Sequence, residues 1–301
     1  MVIIQVAGGL GNQLQQYALY RKFLSLSKEA KLDISWFVQE KDGIKVTDRT
    51  LELDYFEGLP YTSCTLAEKE RMIGNSGLTG KLRRKLLPGT VRQFTENAIY
   101  HPELLEQEDK YLSGYFACEK YYADILPVLR EEIRFPKNSN PRNQILAEEM
   151  QNCQSISLHL RRGDYLNPAN AAMFGNICTQ QYYDGAVNSI RKRVENPHFY
   201  IFSDDPAYAA QQYQGEEFTV VDENHGADSF YDMWLMSRCT HNICANSTFS
   251  FWGARLNDNQ DKIMIRPTKH KNSQSFIWEE MKELWKGWSF VDPEGVVYEE
   301  R

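Results

Sequence analysis

The chain has 301 residues, of which 42% are hydrophobic and 13% aromatic, and a formal net charge of −7. Its length suits two α/β domains or one large one. The acidic balance excludes broad nucleic-acid binding, which needs a basic field to displace counterions from phosphates. A small anionic ligand held by a few arginines remains compatible.

In chain order, Val2-Ile3-Ile4-Gln5-Val6 reads as a strand, Ala7-Gly8-Gly9-Leu10-Gly11-Asn12 as a turn, and residues 13–25 as a helix with Leu14, Tyr17, Ala18, Phe23 and Leu24 near helical spacing. Residues 32–37 read as the next strand. Residues 40–115 show no regular period and are expected to be irregular α/β elaboration. They include Lys81-Leu82-Arg83-Arg84-Lys85-Leu86-Leu87, a basic amphipathic patch that suits peripheral contact with an anionic membrane surface, a solvated helix face being the plainer reading. The linker Phe135-Pro136-Lys137-Asn138-Ser139-Asn140-Pro141 divides the chain into domains 1–137 and 138–301. Beyond residue 150 strands are predicted at 155–160, 199–202, 218–221, 241–245 and 262–265. Helices are predicted at 179–194 and 227–239, in a segment capped by Asn246-Ser247-Thr248 that runs to Leu256, and at 275–286. The last helix has the place to run back toward the first domain. Such alternation implies a parallel sheet covered on both faces.

No run of about 18 apolar residues is present to span a membrane. The first residues lack a basic segment followed by a long apolar one, so a cytoplasmic location is expected, with contact at the inner membrane face as a variant. Six cysteines are scattered without a C-x-x-C pair, and Cys239 and Cys244 match no common zinc spacing, so they read as reduced core residues.

Four constellations carry candidate chemistry. His159-Leu160-Arg161-Arg162-Gly163-Asp164-Tyr165 follows a predicted strand, where parallel sheets bind ligands, and alternation sets His159 and Arg161 on one face. Two arginines and a carboxylate suit a phosphate clamp; an Arg–Asp bridge is the structural alternative. Asn246-Ser247-Thr248-Phe249-Ser250 opens a helix and offers N–H groups and hydroxyls to an anion, or simply caps that helix. Gly8-Gly9-Leu10-Gly11-Asn12 permits close backbone approach but lacks the dinucleotide fingerprint, which disfavours a nicotinamide cofactor. Ser203-Asp204-Asp205-Pro206 suits a divalent cation, a guanine edge or a helix cap, and spacing does not choose among them. No nucleophile elbow or zinc-protease motif occurs.

Together with Gly114-Tyr115-Phe116, Glu119-Lys120-Tyr121, Phe202-Ser203-Asp204-Asp205 and the block from Asp232-Met233 to Asn257, these motifs occur in the order seen in family-11 α-1,2-fucosyltransferases, which the chain resembles over nearly its whole length. The resemblance implies a GT-B architecture: two Rossmann-like domains facing a cleft, the first on the acceptor side and the second binding GDP-fucose. It implies inverting, metal-independent transfer of L-fucose to the 2-hydroxyl of a terminal galactose in a glycan, in bacterial surface-polysaccharide assembly. Fucosylation of another linkage, non-catalytic GDP-sugar binding and nucleotide-sugar hydrolysis are the alternatives. By the same resemblance Arg161, beside Arg162, stabilises the diphosphate. His159 and one of Asp204 and Asp205 face guanine, Asn246, Ser247, Thr248 and Ser250 belong to the phosphate-binding stretch, and Asn12, with Gly11, reaches the diphosphate from the first domain. Asp33, Asp54, Glu57 and Asp164 are candidate general bases, Asp164 also being a candidate catalytic residue. Gln15, Ala117, Cys118 and Phe251 depart from the family's usual residues beside the motif cores, which bears on acceptor preference more than on the donor.

Overall fold

A computed structural model describes residues 1–38, 40, 41, 44, 45, 49–75 and 77–300, with only the backbone described for residues 40, 41, 44, 45, 78, 81, 83, 84, 88, 164, 166 and 169. The chain divides into two units, Met1–Pro136 and Lys137–Arg301, within the proline-bracketed linker.

The first unit contains β1 (Val2–Gln5), α1 (Leu10–Ser25), β2 (Ala30–Asp33), a short antiparallel pair β3 (Glu40–Lys41) and β4 (Ile44–Lys45), α2 (Leu66–Ile73), α3 (Leu78–Leu86), β5 (Gln93–Thr95), β6 (Tyr111–Ser113) and α4 (Leu126–Glu132). Its parallel sheet has the order β2-β1-β6-β5. β1 is central, and its Val2, Ile3 and Ile4 are all buried, as a strand covered on both faces requires. Residues 40–115 therefore do more than elaborate: they supply two strands of this sheet. β5 and β6 are three residues each, too short to display an alternating pattern.

The expected strand at 32–37 ends at Asp33 because that side chain turns the backbone. Its carboxylate accepts the Ser35 N–H at 3.0 Å and the Tyr111 hydroxyl at 2.6 Å, and pairs with Lys69 Nζ at 2.8 Å. A 3₁₀ turn, Ser35–Val38, follows.

The second unit runs α5 (Pro141–Gln151), β7 (Gln154–Leu160), α6 (Pro168–Phe174), α7 (Gln180–Arg191), β8 (Pro197–Ser203), α8 (Pro206–Gln212), β9 (Phe218–Val221), α9 (Phe230–Arg238), β10 (His241–Ile243), α10 (Thr248–Leu256), β11 (Met264–Pro267), α11 (Trp278–Leu284), β12 (Trp288–Val291) and β13 (Val297–Tyr298). The sheet order is β13-β12-β11-β10-β7-β8-β9, parallel except for β13. Numbered within the unit, the six parallel strands lie 3-2-1-4-5-6, the doubly wound Rossmann order. The order reverses between β7 and β10, where Ile156 pairs with His241 and Leu158 with Ile243.

Period-two alternation builds the cores on the two faces. Phe199 and Ile201 join Ile156, Leu158, Tyr182 and Ile190 in one cluster, while Tyr200 and Phe202 join Leu146, Met150 and Leu235 in another. α7 lies so close to the turn before β13 that a side chain at Gly185 would strike the Gly295 backbone, and Gly295 itself has φ +87°. α11 is shorter than the predicted helix and belongs to the second unit, where Met281 and Trp285 are buried and Trp278 packs 6.0 Å from Phe290.

Asp33 gives a test of the first unit. Burial opposes its charge, but the bonds from Lys69, Tyr111 and Ser35 outweigh burial and hold its carboxyl below the ordinary value. A depressed folded value confers stability above the unfolded value, about 3.9, that is lost as pH falls through the folded one. Asp33→Asn should cost about 2–3 kcal/mol at neutral pH by urea titration, a penalty that shrinks progressively below about pH 4.

Candidate functional site

β7 and β8 end side by side, Leu160 opposite Ser203, and the Ser203 hydroxyl donates to the Leu160 carbonyl at 2.9 Å. The next two residues on one strand are arginines and on the other aspartates. Arg161 Nη1 lies 2.9 Å from Asp204 Oδ2, Arg162 Nε lies 3.2 Å from Asp205 Oδ2, and the Arg162 N–H donates to Asp204 Oδ1 at 2.9 Å. Gly163 leaves room for the Asp204 carboxylate, which a Cβ there would push aside. The carboxylate that sets the clamp therefore comes from the neighbouring strand end; the side chain of Asp164 lies outside the described residues. Asp205 also accepts the Tyr208 N–H at 3.1 Å as the cap of α8.

Aromatic rings complete the setting. The Arg161 guanidinium stands 5.7 Å from the Tyr165 ring centroid, and that of Arg162 3.5 Å from Tyr208. Tyr165 stacks on Phe174 at 5.1 Å, and its hydroxyl donates to the Asn246 carbonyl at 2.9 Å. Tyr165 thus ties the Arg161 loop, at the end of β7, to the turn at the end of β10. The side chains of Arg161 and Asp204 remain about a quarter exposed, at 28% and 24%. Such partly exposed pairs contribute little stability and are readily exchanged for another anion.

At the end of β10, Asn246 is buried and spent on the protein: its amide donates to the carbonyls of Phe174 at 3.0 Å and His270 at 3.2 Å, and Cys178 Sγ lies 3.4 Å from its Oδ1. Ser250 is also buried, its hydroxyl donating to the Ser247 carbonyl. Both shape the turn. Ser247 and Thr248 are partly exposed at the start of α10, which has no side-chain cap on its first N–H groups. That helix start and the Arg161 loop flank the point where strand order reverses, the usual ligand position of such sheets.

His159 is buried 6.0 Å from the Phe249 ring, and its Nδ1 has no hydrogen-bond partner. Burial, aided by the Arg161 charge, pushes it down to about 3, so the imidazole is neutral. His270, overlooked in the motifs, repeats this state: burial, with Arg266 and Lys271, pushes it down to about 4, and its Nδ1 is likewise unpartnered. Asp232, in the first turn of α9, accepts from Asn224 at 2.8 Å, and burial raises it to about 7 despite that bond.

In the first unit Gly8 has φ +83°, and Asn12 lies against it: a Cβ there would fall 2.7 Å from Asn12 Nδ2. Gly11 is buried. Gln13, also buried, donates to the Gly8 carbonyl at 2.9 Å and the Thr50 carbonyl at 3.0 Å, and accepts the Glu52 N–H at 2.8 Å. Gln16 accepts the Ala7 N–H at 2.9 Å and donates to the Gly114 carbonyl at 2.8 Å. Thus two motifs a hundred residues apart meet at the ends of β1 and β6. Gln15 is buried with neither amide atom partnered. Among the candidate bases, Asp33 is buried, its carboxylate engaged by Ser35, Tyr111 and Lys69. Asp54 is exposed and accepts the Tyr61 hydroxyl at 2.5 Å, and Glu57 is exposed. Glu52 was not foreseen; it is half-buried beside the glycine turn, and burial raises its carboxyl against Arg49 and the Leu10 N–H. Among the described residues no three His, Cys, Asp or Glu side chains group to hold a metal.

A family model described as glycosyl transferase family 11 matches residues 100–292. The O-antigen biosynthesis glycosyltransferase WbnK of Escherichia coli is 30% identical over 88% of this chain and 93% of its own. An alpha-1,2-colitosyltransferase of Escherichia coli is 28% identical over 89% and 91%. The galactoside 2-alpha-L-fucosyltransferase Sec1 of Mus musculus is 22% identical over 85% and 64%.

The role of Asn246 is directly testable. Asn246→Ala leaves two loop carbonyls without their donor and should cost about 2 kcal/mol, lowering the calorimetric Tm by roughly 4–8 °C.

Proposed function

The chain belongs to glycosyl transferase family 11, and on that premise we propose that it transfers L-fucose from GDP-fucose to the 2-hydroxyl of a terminal galactose. The observation that carries this reading is the position of Arg161: it stands at the strand-order reversal of a Rossmann sheet, beside the uncapped start of α10. A guanidinium fork and unpaired helix N–H groups both suit the charged oxygens of a nucleoside diphosphate. The names of the relatives support the α-1,2 linkage and the galactoside acceptor.

The step is a single displacement. The acceptor oxygen forms a bond to fucose C1, the C1–O bond to the β-phosphate breaks, the hydroxyl proton leaves to a base, and GDP departs with its electron pair. The transition state is oxocarbenium-like, and negative charge grows on the diphosphate. Arg161 meets that charge as its pairing with Asp204 is exchanged for phosphate, and Ser247 and Thr248 add helix N–H groups and hydroxyls. Arg162, held by Asp205 and Tyr208, braces the loop. His159, neutral with Nδ1 open, suits hydrogen bonding to the guanine of the donor. In this scheme the arginines supply the positive charge that a metal ion supplies elsewhere.

The colitosyltransferase relative favours one second reading, a donor whose sugar is colitose, which is fucose without its 3-hydroxyl. Parallel assays with GDP-fucose and GDP-colitose decide between them.

With GDP-fucose and lactose in EDTA, GDP and a 2-O-fucosylated product should appear together, and neither without acceptor. GDP release without acceptor describes a hydrolase, binding without turnover on any galactoside a binding protein, and loss of activity in EDTA with rescue by Mn²⁺ overturns the metal-free scheme. Arg161→Lys loses the planar fork and should lower kcat by about 100-fold or more, with a smaller change in KM.

A further inference from the structure

We propose that the outward face of α3 docks this protein on an anionic lipid bilayer. The covered side of the helix is marked by its glycine, which lies against the preceding turn at Asn75. Gly80 is buried, a Cβ there would collide with the Asn75 backbone, and its N–H donates to Asn75 Oδ1 at 2.9 Å. At 100° per residue, Leu82 is turned 200° from Gly80, and Leu86 lies one turn further along the same side. Leu82, Leu86 and the following Leu87 are 57%, 62% and 59% exposed. The helix therefore presents to water the leucines that an amphipathic helix ordinarily buries.

Charge decides what covers them. Residues 74–91 hold no acidic side chain and include Lys81, Arg83, Arg84 and Lys85, in a chain whose net charge is −7. A cationic segment on an otherwise acidic protein selects an anionic surface, and adjacent leucines select one with an apolar interior close beneath its charges. The headgroup and acyl boundary of a bilayer has both properties and needs no shape complementarity. An acidic protein groove is the competing occupant.

Sedimentation of the full chain with vesicles tests this. Vesicles of phosphatidylcholine alone are compared with a three-to-one mixture of phosphatidylcholine and phosphatidylglycerol, at low and at half-molar salt. The expected result is binding to the mixed vesicles only, weakened by salt. A triple variant, Leu82→Ser, Leu86→Ser and Leu87→Ser, and separately Arg84→Glu with Lys85→Glu, should each bind at least tenfold more weakly, while turnover of a soluble acceptor stays at the parent level and reports an intact fold. Equal binding to both vesicle types, no binding to either, or parent-level binding by the leucine variant overturns the proposal; no binding to either would favour the protein groove.

Discussion

Two arginines at one strand end facing two aspartates at the next form the interaction on which the site depends. Parallel pairing puts Leu160 opposite Ser203, so the residues that follow meet in register: Arg161 with Asp204, and Arg162 with Asp205. A guanidinium left to itself in solvent samples many rotamers, and fixing it costs entropy. Here carboxylates and tyrosine rings set both forks in advance, which lowers the ordering cost of receiving an anion. Because the pairs are only partly buried, the aspartates hold the arginines without binding them irrevocably.

Topology supplies the second half. Reversal of strand order between β7 and β10 leaves a crevice above two adjacent strand ends, with helices departing to opposite faces. Tyr165 crosses that crevice, one face toward Arg161 and its hydroxyl on the Asn246 carbonyl. Asn246 in turn gathers the loops that carry Phe174 and His270. The charged groups and the uncapped start of α10 are thus fixed by one connected set of contacts. The first unit repeats the logic on a smaller scale, with Gln13 and Gln16 bracing the glycine turn at the end of β1.

Legibility followed apolar runs bounded by turn residues. Residues 218–221 are a strand with the predicted bounds, and β7, β8 and α10 differ by a residue or two, because apolar runs bounded by turn residues announce themselves. β5, β6 and β12 are not marked by the sequence, and their place is decided by pairing with other strands. The arginine and aspartate motifs were legible as chemistry, but their mutual pairing was not, since it arises from strand register. Residue type does not show the partners that the fold brings to a side chain. Lys69 and Tyr111 engage the Asp33 carboxylate, and two carbonyls take the amide of Asn246. Glu52 and His270 sit in segments without a motif, so only burial marks them.

The central claim is that Arg161 recognises a diphosphate. Calorimetric titration of GDP and GMP into the parent chain and into Arg161→Ala tests it most directly. The account predicts that the parent binds GDP about tenfold or more tightly than GMP, the worth of one charge-assisted bond, and that Arg161→Ala removes most of that preference. An unchanged ratio in the variant would show that the second phosphate is held elsewhere and would contradict the account.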